Sequence, residues 1–278
     1  MCGPRWLPVT WPMTGIDQRA EAAPVEAVVQ PQRRHVLRKL RLAAHLIEGI
    51  ATCALLFWWV GPVRRRALIQ RWSRRLLALF RVTVVVGGEP ASQADLAGAM
   101  MVCNHVSWLD VYAINSWHPP RFVAKSEIRN WPVIGWLCAQ TGVLFVERAR
   151  KRDAHRIMHA IADALRGGES ICVFPEGTTS NGMQLLPFHA NLFQAPVTAA
   201  APIRPVALRY RIAATSELTT IPAYIDDMSL LDSVNAILNG PPLVAEVFVG
   251  PAVAPEMDRR ALAEHSRQAV AMLMERAG

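Results

Sequence analysis

The stretch Met100-Met-Val-Cys-Asn-His-Val-Ser-Trp-Leu-Asp110 changes from a strand pattern to a helical one within a few residues. Met100–Cys103 is a short apolar run, which is typical of a buried strand. Ser107 and Asp110 form the S-x-x-D pattern that often opens a helix, here expected over 107–117. The stretch therefore predicts a strand, a tight turn and a helix, the unit from which α/β sheets are built.

The same alternation of strands and helices continues on both sides of this stretch. Further strands are predicted at Val82–Val86, Phe122–Ala124, Val143–Glu147, Ile171–Phe174, Ile203–Tyr210 and Val244–Val249. Further helices are predicted at 132–140, 151–166 and 259–276, and residues 211–242 are expected to form loop and helix. Strands separated by helices predict an α/β domain over 81–278, with a mixed, largely parallel sheet flanked by helices.

The N-terminal third has a different composition. Residues 1–31 are rich in Pro and Ala without periodicity, which predicts a flexible leader. Residues 32–80 are basic and apolar: twelve basic residues and a single acid, Glu48, lie between Arg33 and Arg81. Since the whole chain has a net charge of +8, the rest of it is mildly acidic.

Two helices are predicted in this basic segment. The first has a helical pattern from Leu40 to Val63. Its part Gly49–Val63 is almost wholly apolar, but it reaches the roughly 20 residues of a straight membrane span only by including His45 and Glu48. Arg64–Phe80 has apolar residues at helical spacing and arginines between them. The two helices predict a membrane attachment, which could span the bilayer, enter one leaflet or lie in the interface.

Charge and cysteine patterns exclude other classes of protein. A nucleic-acid binder would need basic residues and exposed aromatic rings across the body of the chain, which is net acidic. The five cysteines are widely spaced and show no C-x-x-C or Cys/His cluster, so no metal site is predicted. Their apolar surroundings indicate a reducing compartment, and prolines interrupt the N-terminus too often for a secretory signal. We therefore expect the chain at the cytoplasmic face of the inner membrane.

His105 and Asp110 are the first candidate chemical residues. On one continuous helix, residues five apart point about 140° away from each other. They can meet if His105 lies in the turn after the strand and Asp110 lies in the first helical turn. Two interpretations stay open: a catalytic His-Asp pair, or an Asp110 that only complements the positive end of the helix.

Two later segments also end apolar strands with reactive or charged residues. Val173-Phe-Pro-Glu-Gly-Thr-Thr-Ser180 predicts a ligand site at a strand end, where Gly177 would allow a close backbone approach. A turn followed by a Ser/Thr helix cap would have a similar sequence. Gly142-Val-Leu-Phe-Val-Glu-Arg148 ends in a guanidinium, which suits a phosphate or a carboxylate, although a solvated basic turn is the alternative.

In order and spacing, these segments resemble the four blocks of the glycerolipid acyltransferase family, whose bacterial members include 1-acylglycerol-3-phosphate acyltransferase. The blocks are His-x-x-x-x-Asp, G-x-x-F-x-x-R, F-P-E-G-T and the Pro-rich strand Ala201-Pro-Ile-Arg-Pro-Val206. The resemblance covers roughly residues 80–210. It implies transfer of a fatty acyl group from acyl-CoA or acyl-carrier protein to the hydroxyl of a lysolipid, with no cofactor or metal.

The resemblance also implies roles for individual residues. His105 would be the general base, and Asp110 would orient and stabilise its imidazole. The residues implied to contact the substrate are Lys125, Arg148, Glu176, Gly177 and Thr178.

One departure from the family pattern concerns the acceptor. The third block usually continues F-P-E-G-T-R-S, whereas this chain has Thr179 in the place of the arginine. The F-P-E-G-T-T-S form resembles lyso-ornithine lipid acyltransferases, whose acceptor carries an amino-acid carboxylate instead of a phosphate, and this acceptor is the alternative. From another class, a non-enzymatic membrane adaptor would explain the N-terminus but not the ordered blocks. A lipase or thioesterase is not favoured, because the chain lacks a G-x-S-x-G nucleophile motif.

Overall fold

A computed structural model of the protein describes residues 32–89, 92–146 and 151–276. The predicted leader at 1–31 and the predicted ligand contact Arg148 lie outside these described residues. The helices are α1 (Gln32–Leu55), α2 (Pro62–Leu79), α3 (Gln93–Leu96), α4 (Leu109–Trp117), α5 (Ile134–Gln140), α6 (Lys151–Arg166), α7 (Gln194–Ala199), α8 (Leu230–Asn239) and α9 (Arg259–Arg276). Two short 3₁₀ turns lie at Ser126–Asn130 and Ala190–Phe193.

The strands form one seven-stranded sheet. They are β1 (Val82–Gly88), β2 (Met100–Cys103), β3 (Arg121–Lys125), β4 (Leu144–Val146), β5 (Ile171–Val173), β6 (Ile203–Ile212) and β7 (Leu243–Val249). Their spatial order is β1-β7-β6-β2-β5-β3-β4. Every neighbouring pair is parallel except β6 and β7, which are antiparallel. The predicted mixed, largely parallel sheet is confirmed.

Helices cover both faces of the sheet and bury a core on each. One face packs against α2, α4 and α8, through side chains such as Leu77, Ile114 and Ile237. The other face packs against α6, α7 and α9, through side chains such as Ile161 and Leu262. Because the central strands are buried on both faces, β2 is apolar at all four positions instead of alternating.

The N-terminal helices α1 and α2 form an antiparallel pair against the first of these faces. The rings of His45 and Trp72 stack with centroids 4.6 Å apart. The Nε1–H of Trp72 donates to the carbonyl oxygen of His45 at 3.1 Å, so the two helices are joined by a partly buried hydrogen bond as well as by packing. Over the residues with described positions, no helix has the length and apolar character that a bilayer span requires.

The start of α4 shows how the S-x-x-D pattern works in this fold. The helix begins at Leu109 rather than at 107, because the Oγ of Ser107 accepts from the backbone N–H of Leu109 at 3.2 Å. The carboxylate of Asp110 reaches back to the N–H of Ser107 at 2.9 Å. The pattern therefore closes the turn that precedes the helix, and it holds Asp110 close to the end of β2.

The helix predicted at 132–140 also begins later, at Ile134. Val133 has a φ angle of 63°, which is not helical, so Pro132 lies outside the helix. The short helices α3 and α7 were not predicted, since four and six residues carry too little periodicity to detect.

Candidate active site

The candidate site lies at one edge of the sheet. Strands β2, β3 and β5 are parallel to one another, so their carboxyl ends meet at the same edge. His105 follows β2, Glu176 follows β5 and Lys125 ends β3. Segments that are about 20 to 75 residues apart in the chain are therefore brought together where ligands bind in open α/β sheets.

His105 and Asp110 form a hydrogen-bonded pair, with Nδ1 of the imidazole 2.8 Å from Oδ2 of the carboxylate. Asp110 is fully buried, and its Oδ2 also accepts from the N–H groups of Val106 and Ser107 at 2.7 and 2.9 Å. Its Oδ1 accepts from the hydroxyl of Tyr210 at 2.7 Å. A carboxyl group that accepts four hydrogen bonds is an ionised carboxylate, and it both pairs with the histidine and complements the helix start.

The imidazole is fixed in orientation and in tautomer. Its Nδ1–H points at an acceptor-only carboxylate, so Nε2 carries the lone pair that can take a proton. The ring stacks on Phe174, with centroids 3.9 Å apart and planes 12° apart, and Phe174 in turn stacks on Phe122. About a fifth of the His105 side chain (21%) stays exposed. The arrangement provides an oriented base that a substrate can reach.

Glu176 holds the backbone of the same histidine. Its Oε1 accepts from the N–H of His105 at 2.7 Å, and its Oε2 accepts from the N–H of Leu186 at 2.9 Å. Burial raises the pKa of this carboxyl group above its ordinary value, while the two backbone hydrogen bonds oppose the shift. Because both of its oxygens accept hydrogen bonds from the backbone, Glu176 joins the His105 turn to the segment that contains Leu186. The acceptor contact that the family resemblance implies for it stays a prediction.

The rest of the F-P-E-G-T-T-S segment completes this turn. Gly177 has a φ angle of 72°, a left-handed conformation that a glycine adopts without strain. The N–H of Ser180 donates to the carbonyl oxygen of His105 at 2.8 Å. Thr178 is exposed, whereas the hydroxyl of Thr179 donates to the carbonyl oxygen of Tyr224. The substrate contacts that the family resemblance implies for Gly177 and Thr178 stay predictions.

Two residues of the site were missed by sequence reasoning. Asn104 bridges β2 to β6: its amide donates to the carbonyl oxygen of Leu208 at 2.8 Å and accepts from the N–H of Leu208 at 2.7 Å. Tyr210 is the donor to Asp110, and burial together with that negative charge raises its pKa well above the ordinary value, so the phenol stays protonated. Each of the two residues had a signal in the sequence. Asn104 is a polar residue directly after a buried strand, and Tyr210 is a single tyrosine near the end of another strand.

Lys125 is a basic residue for which the family resemblance implies a contact with the acceptor lipid. It is exposed at the carboxyl end of β3, on the same edge as His105. Arg129 lies in the 3₁₀ turn that follows, with its guanidinium 5.7 Å from the ring centre of Phe145. Among the residues with described positions, no group of three or more His, Cys, Asp or Glu side chains could hold a metal ion.

Comparison with known proteins agrees with the resemblance. Residues 83–209 match the family described as Acyltransferase. The chain is 32% identical over 253 residues to the lyso-ornithine lipid O-acyltransferase of Pseudomonas aeruginosa, covering 87% of this chain and 93% of that protein. The chain belongs to the acyltransferase family.

Two further members of the family bear on the acceptor and the fold. The 1-acyl-sn-glycerol-3-phosphate acyltransferase of Neisseria meningitidis serogroup B is 40% identical over 163 residues, which is 59% of this chain. That alignment spans 62% of the relative, less than two thirds of its length. The crystal structure of the 1-acyl-sn-glycerophosphate acyltransferase of Thermotoga maritima superposes with a TM-score of 0.59 at 19% identity, covering 86% of this chain and 97% of that one. It supports the fold.

Proposed function

We propose that this acyltransferase-family chain moves a fatty acyl group from the thioester of acyl-CoA or acyl-carrier protein to the hydroxyl of a lysolipid. The observation that carries the proposal is the His105–Asp110 pair, held at 2.8 Å at the carboxyl edge of the sheet with Nε2 of the imidazole free of the carboxylate. Family membership adds the reaction class, since the relatives named above are O-acyltransferases acting on lysolipids.

The reaction follows from this geometry. Nε2 of His105 takes the proton from the acceptor hydroxyl as its oxygen attacks the thioester carbonyl carbon. The negative charge of Asp110 stabilises the imidazolium that forms. The tetrahedral intermediate then collapses, the carbon–sulfur bond breaks, and the imidazolium returns its proton to the leaving thiolate. No acyl-enzyme is needed, because the acceptor oxygen is itself the nucleophile.

The first candidate acceptor is 1-acylglycerol 3-phosphate, which would give phosphatidic acid. Its phosphate requires cations at the carboxyl edge. Lys125 is an exposed cation there, and Arg148, at the end of the second block, is proposed as its partner. The 40% identity with the Neisseria relative supports this acceptor.

The second candidate acceptor is a lyso-ornithine lipid, and Thr179 favours it. Its hydroxyl binds the carbonyl oxygen of Tyr224, so this position supplies no cation to a headgroup. An acceptor with a carboxylate demands less positive charge than one with a phosphate. The near full-length alignment with the Pseudomonas relative supports this alternative.

We also propose that the chain works on a membrane surface, through α1 and the turn that follows it. Exposed apolar side chains recur at helical spacing along α1, at Val36, Leu40, Ile47 and Leu55. The stripe begins near the catalytic edge, where Arg38 donates to the carbonyl oxygen of Leu238, and continues to the opposite edge. A continuous exposed apolar surface of this kind, flanked by arginines, fits a helix lying in the interface of an anionic membrane. The cytoplasmic face of the inner membrane is the proposed location.

The test is an acyl-transfer assay with protein in detergent or lipid, in which both donors and both acceptors are offered. His105→Ala should lose about 10²–10⁴-fold in turnover, the usual size of a general-base contribution. His265→Ala is the matched control, because His265 is exposed on α9. A folded His105→Ala protein with full activity would remove the proposed mechanism. Transfer to one acceptor alone would decide between the two lipids.

A further inference from the structure

A cavity of about 300 Å³ lies at the amino edge of the sheet, on the opposite side from His105. The segments that line it precede β2, β3, β4 and β5, belong to the first two turns of α2, or contribute Phe57 from the turn between α1 and α2. The catalytic residues named above are absent from its lining. The proposed reaction therefore leaves this cavity without a role.

The cavity carries an excess of positive charge. Arg65, Arg66 and Arg121 line it, and the acid among its lining residues is Glu169. Glu169 is paired with Arg121 at 3.1 Å. Arg65 donates to the carbonyl oxygens of Phe57 and Val60, both of which are uncharged. Within the described parts of the chain, no carboxylate lies within ion-pair distance of Arg65 or Arg66, so two guanidinium charges are left without a counter-ion.

The position of these arginines at a helix start makes this excess unfavourable. The N-cap of α2, Gly61, provides no side-chain hydrogen bond, and the first turn contains no acidic residue. A helix N-terminus carries about half a positive charge, so basic residues there repel it. An anion in the cavity would offset both the helix charge and the arginines. The pKa of the neighbouring His118 is lowered to about 4, first by burial and second by the positive charge of Arg66.

The cavity also adjoins a very exposed apolar tip, defined as residues 55–59, which are the last residue of α1 and the start of the turn to α2. Trp58 and Trp59 are 76% and 87% exposed, while Phe57 points inward and forms part of the cavity wall. The guanidinium of Arg65 lies over the Phe57 ring, 5.7 Å from its centre. Tryptophan side chains exposed in this way prefer the headgroup region of a bilayer. If the tip enters that region, the cavity lies level with the lipid phosphates.

We propose that this cavity binds a phosphate group, presented as the headgroup of an anionic phospholipid of the membrane. Arg66 provides the free guanidinium, which can bind two phosphate oxygens at once. Arg65 and Arg121 add charge from the two sides of the cavity. The inference builds on the membrane contact proposed above, but it requires no acyl transfer.

The experiment compares two single-charge variants for binding to phosphatidylcholine vesicles with and without phosphatidylglycerol. Arg66→Gln removes a cavity arginine. Arg64→Gln is the matched control, since Arg64 is an exposed arginine of the same helical turn that does not line the cavity. Both proteins should unfold at the wild-type temperature, because neither side chain makes a buried contact. A second arm measures whether glycerol 3-phosphate in solution binds the wild type and Arg66→Gln.

The two variants should differ if the cavity is a binding site. Arg64→Gln should weaken binding to anionic vesicles by up to about fivefold, the effect of one basic residue near such a surface. Arg66→Gln should weaken it by more than about tenfold, because a charge-assisted hydrogen bond is lost as well. Equal vesicle losses, with no Arg66-dependent binding of glycerol 3-phosphate, would overturn the site while leaving the membrane contact in place, and no vesicle binding by the wild type would overturn both. Arg66-dependent binding of soluble glycerol 3-phosphate, combined with equal vesicle losses, would overturn the lipid assignment.

Discussion

The substitution Tyr210→Phe removes a single hydrogen bond from the carboxylate that orients His105. The phenol donates to Oδ1 of Asp110 at 2.7 Å, and both groups are buried. Phenylalanine keeps the ring and its packing, so the loss of the hydroxyl is the change that matters. The variant therefore measures how much the hydrogen bond from Tyr210, on β6, contributes to the stability and activity that depend on the His105–Asp110 pair.

The expected cost in stability follows from burial. A hydrogen bond to a charged group contributes about 1.5–3 kcal/mol, and Oδ1 of Asp110 would keep no other donor among the described contacts. For a chain of this size, that loss corresponds to a fall of roughly 4–10 °C in the melting temperature.

The expected effect on catalysis is smaller than that of removing the base. Oδ2 of Asp110 keeps its hydrogen bonds to His105, Val106 and Ser107, so the imidazole stays oriented. The turnover number kcat should therefore fall by less than about tenfold, because the base itself is retained.

Thermal unfolding and steady-state kinetics of Tyr210→Phe check both expectations. Tyr112→Phe serves as the matched control, since Tyr112 packs on the same face of the sheet between Trp72 and Trp108, away from Asp110. Unchanged stability in Tyr210→Phe would refute the reasoning. A loss of kcat as large as that of His105→Ala would give the phenol a direct chemical role instead.

Four further substitutions test other parts of the structure. Asp110→Asn should lower kcat by about 10³–10⁴-fold, measured in the transfer assay, because the amide cannot stabilise the imidazolium. Phe174→Leu removes the ring under His105, so it should lower kcat more than it changes KM in steady-state kinetics. Asn104→Ala should cost about 2–4 kcal/mol in chemical denaturation, since both hydrogen bonds to Leu208 are lost in a buried place. His118 has a lowered pKa, so the unfolded chain takes up its proton first; stability should fall by up to about 3 kcal/mol as the pH drops from 6.5 towards 4, and denaturation curves of His118→Asn should lack this fall.

Much of the sheet was predictable because its strands are short, apolar and separated by helices. The seven predicted strands occur within a few residues of their observed ends, and β2 and β7 differ by one residue or less. The order of the strands was not predicted, since it depends on pairings such as β1 with β7 that are about 160 residues apart. Local patterns contain no information about partners at that distance.

The candidate site was predictable only where its contacts are local. The His105–Asp110 pair closes within one turn, so the spacing of five residues allowed it as one of two interpretations, and the family resemblance favoured it. Tyr210 and Asn104 act through partners about 100 residues away, so the sequence around them gives no information about what they bind. The family resemblance gave Glu176 a contact with substrate, whereas its described hydrogen bonds are to backbone.

The contact between Glu176 and His105 gives a physical reason why the second carboxylate must come from a different segment. The Asp110 pair orients the imidazole ring, but it leaves the backbone of His105 at the end of a four-residue strand with few local hydrogen bonds. Glu176 binds that backbone N–H at 2.7 Å, and Ser180 binds the carbonyl oxygen of the same residue at 2.8 Å. His105 is therefore held at its ring by the helix that follows it, α4, and at its backbone by the turn after β5. A shift of either segment would move the base relative to the acceptor. The position of the F-P-E-G-T-T-S turn should therefore affect the rate of the proposed reaction even if Glu176 does not touch the substrate.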